Sequence, residues 1–306
     1  MNYRYLNKIS YSALSSFSKK GINAFLPEKE DSYVPWFAIG GLVDAILTDD
    51  KNEIIKKSIV LKSSVPQSQI KVCDFLIENN LELNDENILL AVKNIQLYNN
   101  IKDPQKILSR FNDSFYSYYE NIKEGKKIIF KDDLILAKKI ASEINNNKYY
   151  KQLLNTCKRA YQVKIEWIFE NEEMLSILDC LFLDDKNKHI YIVDIKTGSR
   201  KPELFVEQFS TFEYDIQASF YLTAIEYLQK ENKLPKDYSL SFHFIYAPTI
   251  GEIKSVFVDI SKERLNICKE KWINLFHNFV ITRNKVMKEG IKTINLKDSD
   301  YRITIE

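Results

Sequence analysis

From Tyr161 onward the hydrophobic period of the chain changes. Three short β-rich runs, Tyr161–Phe169, Met174–Leu183 and His189–Ile195, follow one another across polar turns at Glu170–Glu173 and Asp184–Lys188. They read as a three-stranded antiparallel meander. A helix from about Glu213 to Lys230, strands at Ser239–Tyr246 and Lys254–Ile260, and a long helix from Lys262 to about Met287 complete the order α-βββ-α-ββ-α. Upstream, residues 10–150 carry apolar positions at helical spacing in Ser12–Phe25, Phe37–Leu47, Ile70–Asn79, Glu86–Leu97 and Asp133–Ile144. The expectation is an α/β fold in which a central mixed sheet is flanked by helices. Residues 1–150 would be an N-terminal helical region, and 151–306 the core of the same unit.

Composition excludes several function classes. Of 306 residues, 45% are apolar and 28% charged, enough for a sizeable core. The 44 basic and 42 acidic side chains leave a net charge of +2, so nucleic-acid affinity would have to come from local patches. Cys73, Cys157, Cys180 and Cys268 form no C-x-x-C pair, which argues against a zinc ribbon, an iron–sulfur cluster or a disulfide framework and for ordinary buried thiols. The first ten residues are polar, and no stretch has the apolar length of a membrane span, so the expectation is a cytoplasmic protein with no membrane partner. His189, His243 and His277 show no metal-like or triad-like spacing and are assigned no role.

The second hairpin of the meander carries the chemistry. Centring its turn between Lys186 and Asn187 pairs residues whose numbers add to 373, which sets Asp179 directly opposite Asp194. Opposed residues share a sheet face with Cβ atoms roughly 5 Å apart, where two carboxylates repel unless something positive lies between them. Lys196, two residues beyond Asp194, falls on that same face, and Ile195 turns away. Asp-x-Lys alone is a common tripeptide. At the end of a strand as apolar as Ile190–Val193, however, an acid and a lysine cost desolvation energy unless they form a site. Hard carboxylate oxygens that hold Mg²⁺, beside an ammonium that steadies an attacking hydroxide, are what phosphodiester hydrolysis requires.

Leu178-Asp179 followed by Val193-Asp194-Ile195-Lys196-Thr197 resembles the core signature of the PD-(D/E)xK nucleases, which have a restriction-endonuclease-like core. Tyr214-Asp215-Ile216-Gln217-Ala218-Ser219-Phe220-Tyr221 looks like the Q-x-x-x-Y helix of the RecB-like branch. Ile9–Phe25 and Phe242–Phe279 are similar to the first helix and the final strands and helix of the RecE-like, or exodeoxyribonuclease VIII-like, group of phages and prophages. The resemblance implies Mg²⁺, with Mn²⁺ able to substitute, held by Asp179, Asp194 and the backbone carbonyl of Ile195. It also implies a DNA-positioning role for Gln217 and Tyr221, which share a helix face. Arg200 and Lys201, just after the active strand, are placed to meet phosphates, with a solvated loop as the alternative.

The sequence departs from this pattern at one position. The branch carries G-x-x-x-H on an N-terminal helix, and Gly40-Gly41-Leu42-Val43-Asp44 has Asp44 where the histidine stands. Aspartate is a hard oxygen donor that can ligate Mg²⁺ in the histidine's place, and among Leu42, Val43, Ile46 and Leu47 it reads as a metal ligand more than as a solvent-facing acid, although the change could equally mark a degenerated site. Glu166, in the first strand of the meander, is an additional carboxylate that could serve a metal or be structural. Phe111, Phe115, Tyr116, Tyr118 and Tyr119, followed by Lys123, Lys126 and Lys127, read as helix core more than as a base-stacking stripe.

The expected activity is metal-dependent exonuclease action on double-stranded DNA with a free end, leaving single-stranded tails for recombination. A homo-oligomer and a single-strand annealing partner are implied by the resemblance. The alternatives are an endonuclease or a single-strand or flap nuclease of the same fold, and an inactive DNA-binding scaffold.

Overall fold

The structure is a computed structural model that describes residues 7–26, 35–48, 58–62 and 64–290. In chain order the elements are β1 (Ile9–Ser10), α1 (Tyr11–Lys20), α2 (Pro35–Leu47), β2 (Ser58–Leu61), α3 (Gln67–Glu78), α4 (Asp85–Asn94), α5 (Pro104–Leu108), α6 (Asp113–Lys123), β3 (Lys127–Phe130), α7 (Lys131–Asn146), α8 (Lys148–Thr156), β4 (Lys158–Phe169), β5 (Glu172–Asp184), β6 (His189–Gly198), α9 (Phe205–Phe212), α10 (Tyr214–Lys230), β7 (Ser239–Pro248), β8 (Val256–Asp259) and α11 (Lys262–Glu289). They form two compact units, one made of Met1–Glu30 with Ile144–Glu306, the other of Asp31–Glu143.

The sequence boundary near residue 150 therefore misplaces the first segment. Residues 1–30 belong with the sheet because Ile9 and Ser10 pair in parallel with Met174 and Leu175 of β5. Phe17 of α1 then packs edge-on against Phe279 of α11, with ring centroids 5.5 Å apart. A two-residue strand has no period to read, so it leaves no signal in the sequence.

The first unit is built on a six-stranded mixed sheet, ordered β1-β5-β6-β7-β8 with β4 on the flank of β5. The meander β4-β5-β6 is antiparallel, as its polar turns require. β7 instead pairs in parallel with β6 from His189↔Ser239 to Gly198↔Pro248, which requires the crossover that α9 and α10 provide. Strand alternation then divides the central residues between two faces. Leu181, Ile190, Ile192, Phe242 and Phe244 join one core with Phe220 of α10 and Trp272 and Phe276 of α11. On the opposite face, Tyr150 of α8 packs on Phe182 and hydrogen-bonds with the Cys180 thiol at 3.3 Å. Helices thus flank both faces. The four cysteines are free, and all but the half-buried Cys157 are buried.

The second unit has a parallel pair, β2 with β3, and a helical core. Ile70, Val72, Leu76, Ile88, Phe115 and Tyr119 are buried there together. The aromatic run of α6 is core, as its spacing implies: Phe111, Phe115, Tyr118 and Tyr119 are all buried, and Tyr119 donates its hydroxyl to the Leu81 carbonyl at 3.0 Å. Among the described residues no helix is long and apolar enough to cross a membrane.

Candidate active site

The hairpin register is the one read from the sequence: β5–β6 pairs run from Asp184↔His189 to Cys180↔Val193, every pair adding to 373. The backbone ladder stops one step short of Asp179 and Asp194. There the Asp179 side chain reaches across, and its Oδ2 accepts the Ile195 N–H at 2.8 Å. The opposite side of β5 changes at the same point. The β4–β5 ladder runs from Lys158↔Leu183 to Tyr161↔Cys180 and resumes at Val163↔Leu178, and Gln162, between them, has φ of 48°. A left-handed residue inside a strand marks a local break in the pleat. Meanwhile β6 stays paired to β7 through Gly198. The carboxylates thus meet where β5 leaves β6 and β6 remains anchored.

Beyond Lys196 the strand end is fixed by a close approach. A Cβ on Gly198 would lie 3.1 Å from the Tyr246 hydroxyl, which donates to the Arg200 carbonyl at 2.6 Å. Glycine keeps that approach open.

Asp194 is 4% exposed. Its Oδ1 accepts from Gln217 Nε2 at 3.3 Å, and its Oδ2 lies 2.5 Å from Lys196 Nζ. The buried Oδ2 thus has the Lys196 ammonium as its partner. Burial pushes the Asp194 carboxyl above its ordinary range, with the Lys196 ammonium pulling the other way. For Lys196 burial pulls down, but the carboxylates of Asp194 and Asp179 outweigh it and hold the amine well above its ordinary range. Its ammonium also rests on two rings, 5.2 Å from the centroid of Tyr214 and 5.6 Å from that of Phe244.

Helix α10 supplies the rest of the surroundings. Gln217 Nε2 also donates to Tyr221 Oη at 3.4 Å, and the Tyr221 hydroxyl is pushed up to about 12, first by burial and then by the Asp194 charge. Gln217 is only 9% exposed, and its amide donates to a carboxylate of the site. The helix begins at Glu213, a non-glycine residue in the left-handed region at φ 56°, ψ 36°. Tyr11 donates to its carbonyl at 2.7 Å and Ser18 to its Oε1 at 3.0 Å. Two bonds from α1 therefore hold the strained junction that aims Tyr214, Gln217 and Tyr221.

The other candidates sit on β4, in the turn after β6 and on α2. Glu166 is half-exposed, with one oxygen 2.7 Å from Lys164 and the other 2.6 Å from Lys8. Those lysines, Lys164 first, lower its carboxyl to about 2. Arg200 and Lys201 are exposed in the turn after β6. Asp44 is half-buried on α2, in the second unit, among buried Leu42, Val43, Ala45 and Leu47. Among the described residues no three of His, Cys, Asp and Glu gather as a ready-made metal cage. Two carboxylates are nonetheless a fitting donor set for Mg²⁺, which keeps several waters and uses one or two carboxylates together with substrate phosphates. Asp194 Oδ2, buried and partnered by the Lys196 ammonium, is the oxygen such an ion would share.

Sequence spacing missed two features. The aromatic seat of Lys196 could have been found from Tyr214, which stands three residues before Gln217 on one helix face. The second is the set of partners that His243, a packed residue, finds in the fold. His243 Nε2 lies 2.7 Å from Ser241 Oγ and its Nδ1 2.6 Å from Asp259 Oδ1. These partners meet through the β7–β8 pairing, which places His243 opposite Asp259.

The chain matches no protein-family model and no curated protein sequence. Among solved structures it is similar to a candidate exonuclease from Eubacterium rectale, with 12% identity and a TM-score of 0.47 over 98% of this chain and 91% of that one.

Proposed function

We propose that this protein is a divalent-metal-dependent DNA nuclease of the PD-(D/E)xK kind that hydrolyses phosphodiester bonds. The observation that carries the reading is the convergence of Asp179, Asp194 and Lys196 at the point where β5 and β6 part, with Asp194 almost wholly buried. Asp179 and Asp194 would hold Mg²⁺ or Mn²⁺, with the Ile195 carbonyl and Asp44 as the further ligands that the resemblance implies. Bound there, the ion supplies an acidified water and charge neutralisation at the phosphate. Lys196 steadies the attacking oxygen and the charge that grows on the phosphoryl group. Gln217 and Tyr221 fix the Asp194 carboxylate, and the exposed Arg200 and Lys201 are available to backbone phosphates.

The finer reading follows from the likeness of the motifs to the RecE-like group. It is exonuclease action on double-stranded DNA from a free end, producing single-stranded tails for recombination. A homo-oligomer, a single-strand annealing partner and a cytoplasmic setting belong to the same reading.

The test is time-resolved digestion of end-labelled linear and closed circular duplex DNA with Mg²⁺, Mn²⁺ or EDTA, comparing wild type with Asp194→Ala. Loss of linear DNA alone, dependent on metal and on Asp194, supports the exonuclease. Cut circles make it an endonuclease. No cleavage with either metal overturns the enzymatic reading in favour of a DNA-binding scaffold.

A further inference from the structure

The lysine of this site is held in an unusual way. Its ammonium pairs with Asp194, lies within the field of Asp179, and faces the rings of Tyr214 and Phe244 at 5.2 and 5.6 Å. A cation above a ring face is attracted by the ring quadrupole, more strongly where water is scarce, and the Lys196 side chain is only 20% exposed. Tyr214 is itself clamped. Its ring lies 5.6 Å from Phe205, 5.9 Å from Phe209, 5.5 Å from Phe212 and 5.5 Å from Phe244. It also extends the site's helix face by one turn, since Tyr214, Gln217 and Tyr221 recur at three- and four-residue spacing on α10.

We propose that Tyr214 is a positioning residue for Lys196, its ring holding the ammonium in place when the Asp194 oxygens turn to a bound cation. This role rests on the nuclease reading above. In the absence of a metal, the Asp194 carboxylate pairs with the lysine directly. A divalent ion competes for that carboxylate, and the aromatic seat then becomes what keeps the ammonium beside the reacting phosphate. Phe244 shares the seat but is fully buried in the core, so its removal would report on folding. Tyr214 is half-buried at the start of its helix, so its ring can be exchanged with less disturbance.

The experiment compares Tyr214→Phe with Tyr214→Leu in the full chain. With Mg²⁺ and duplex DNA, Tyr214→Phe should keep kcat within about twofold, because the ring remains. Tyr214→Leu should lose about tenfold in kcat with KM little changed, the size expected for one desolvated cation–π contact. A second readout needs no turnover. In protein labelled with ¹³C at lysine, the Lys196 Cε protons should show a ring-current shift that Tyr214→Phe preserves and Tyr214→Leu diminishes, both without metal and with Mg²⁺.

Three results would overturn the proposal: full kcat in Tyr214→Leu, a loss confined to KM, or a Tyr214→Phe variant as impaired as Tyr214→Leu. The last would assign the effect to the hydroxyl. Lys196→Met separates this role from the reading beneath it. If Lys196→Met cuts as well as wild type, the nuclease site is wrongly assigned and the role falls with it. If Lys196→Met is inactive and Tyr214→Leu is fully active, only the role of Tyr214 fails.

Discussion

Strands β6 and β7 carry polar chemistry on both faces, and the two faces treat it in opposite ways. On the face under α10, Asp194 is buried between the Lys196 ammonium and the Gln217 amide. On the other face a chain of side chains runs from Ser239 to His189, Ser241, His243 and Asp259, with successive distances of 2.5, 2.7, 2.7 and 2.6 Å. Each member of that chain has a partner, and its end, Asp259, is exposed. Burying charge is costly unless it is paired or holds an ion, so of the two arrangements the Asp194–Lys196 pair is the one that the proposed metal would complete. On the reading proposed above, the histidine chain is structure and that pair the reaction centre.

The largest expected effect tests that assignment directly. Asp194→Ala and Lys196→Ala should each reduce DNA cleavage by at least about a thousandfold, equivalent to about 4 kcal/mol of transition-state stabilisation. Ser241→Ala and His243→Gln should stay within about threefold of wild type in the same digestion assay. Loss of cleavage in the second pair, with the first unaffected, would reverse the comparison.

A smaller effect appears in stability. Lys196→Met leaves the Asp194 carboxylate buried without a counter-charge and should cost about 2–3 kcal/mol in urea unfolding, near the low end for breaking a buried pair because Lys196 retains some solvent contact. The double variant Asp194→Asn with Lys196→Met should recover to within about 1 kcal/mol of wild type, since it removes both charges. On the other face, Asp259→Ala should cost less than about 1 kcal/mol, because the Asp259 side chain is 80% exposed and its pairing is screened. Equal costs on the two faces would remove the contrast between them.

The two faces also differed in how far the sequence revealed them. Asp179, Asp194 and Lys196 could be read because a short turn fixes a hairpin register and alternation fixes the face. The observed pairs follow that register up to Cys180↔Val193. The histidine chain could not be read, because it depends on the parallel register of β6 with β7 and on β8 closing the edge. A crossover of irregular segments and two helices sets that parallel register, and no local pattern encodes it. Helix α10 was found from its period, start included, yet the left-handed residue that opens it was not. The left-handed Glu213 is held by Tyr11 and Ser18, about two hundred positions away in the chain, through contacts that only the folded sheet brings together.

The smallest expected effect concerns pH and the histidine chain alone. Asp259 can only accept, so His243 carries its proton on Nδ1 and takes the Ser241 hydroxyl proton at Nε2. His189 then donates from Nε2 to Ser241 and accepts from Ser239 at Nδ1. One added proton can be absorbed by reversing these bonds. A second makes both Nε2 atoms donors to one Ser241 oxygen and leaves the Ser241 hydroxyl with neither ring as acceptor. Burial, the first cause for each, lowers both imidazoles below the ordinary 6.5; Asp184 and Lys262 act in opposite directions on His189, and Asp259 partly offsets burial at His243. With the folded value below the unfolded one, the unfolded chain binds more protons in that interval. Stability from this chain is therefore complete above the ordinary histidine range and declines as pH falls from about 6.5. Urea unfolding of wild type and His243→Gln between pH 7.5 and 5 should show a shallower decline in the variant, and parallel curves would mean that the chain holds its protons no differently folded than unfolded.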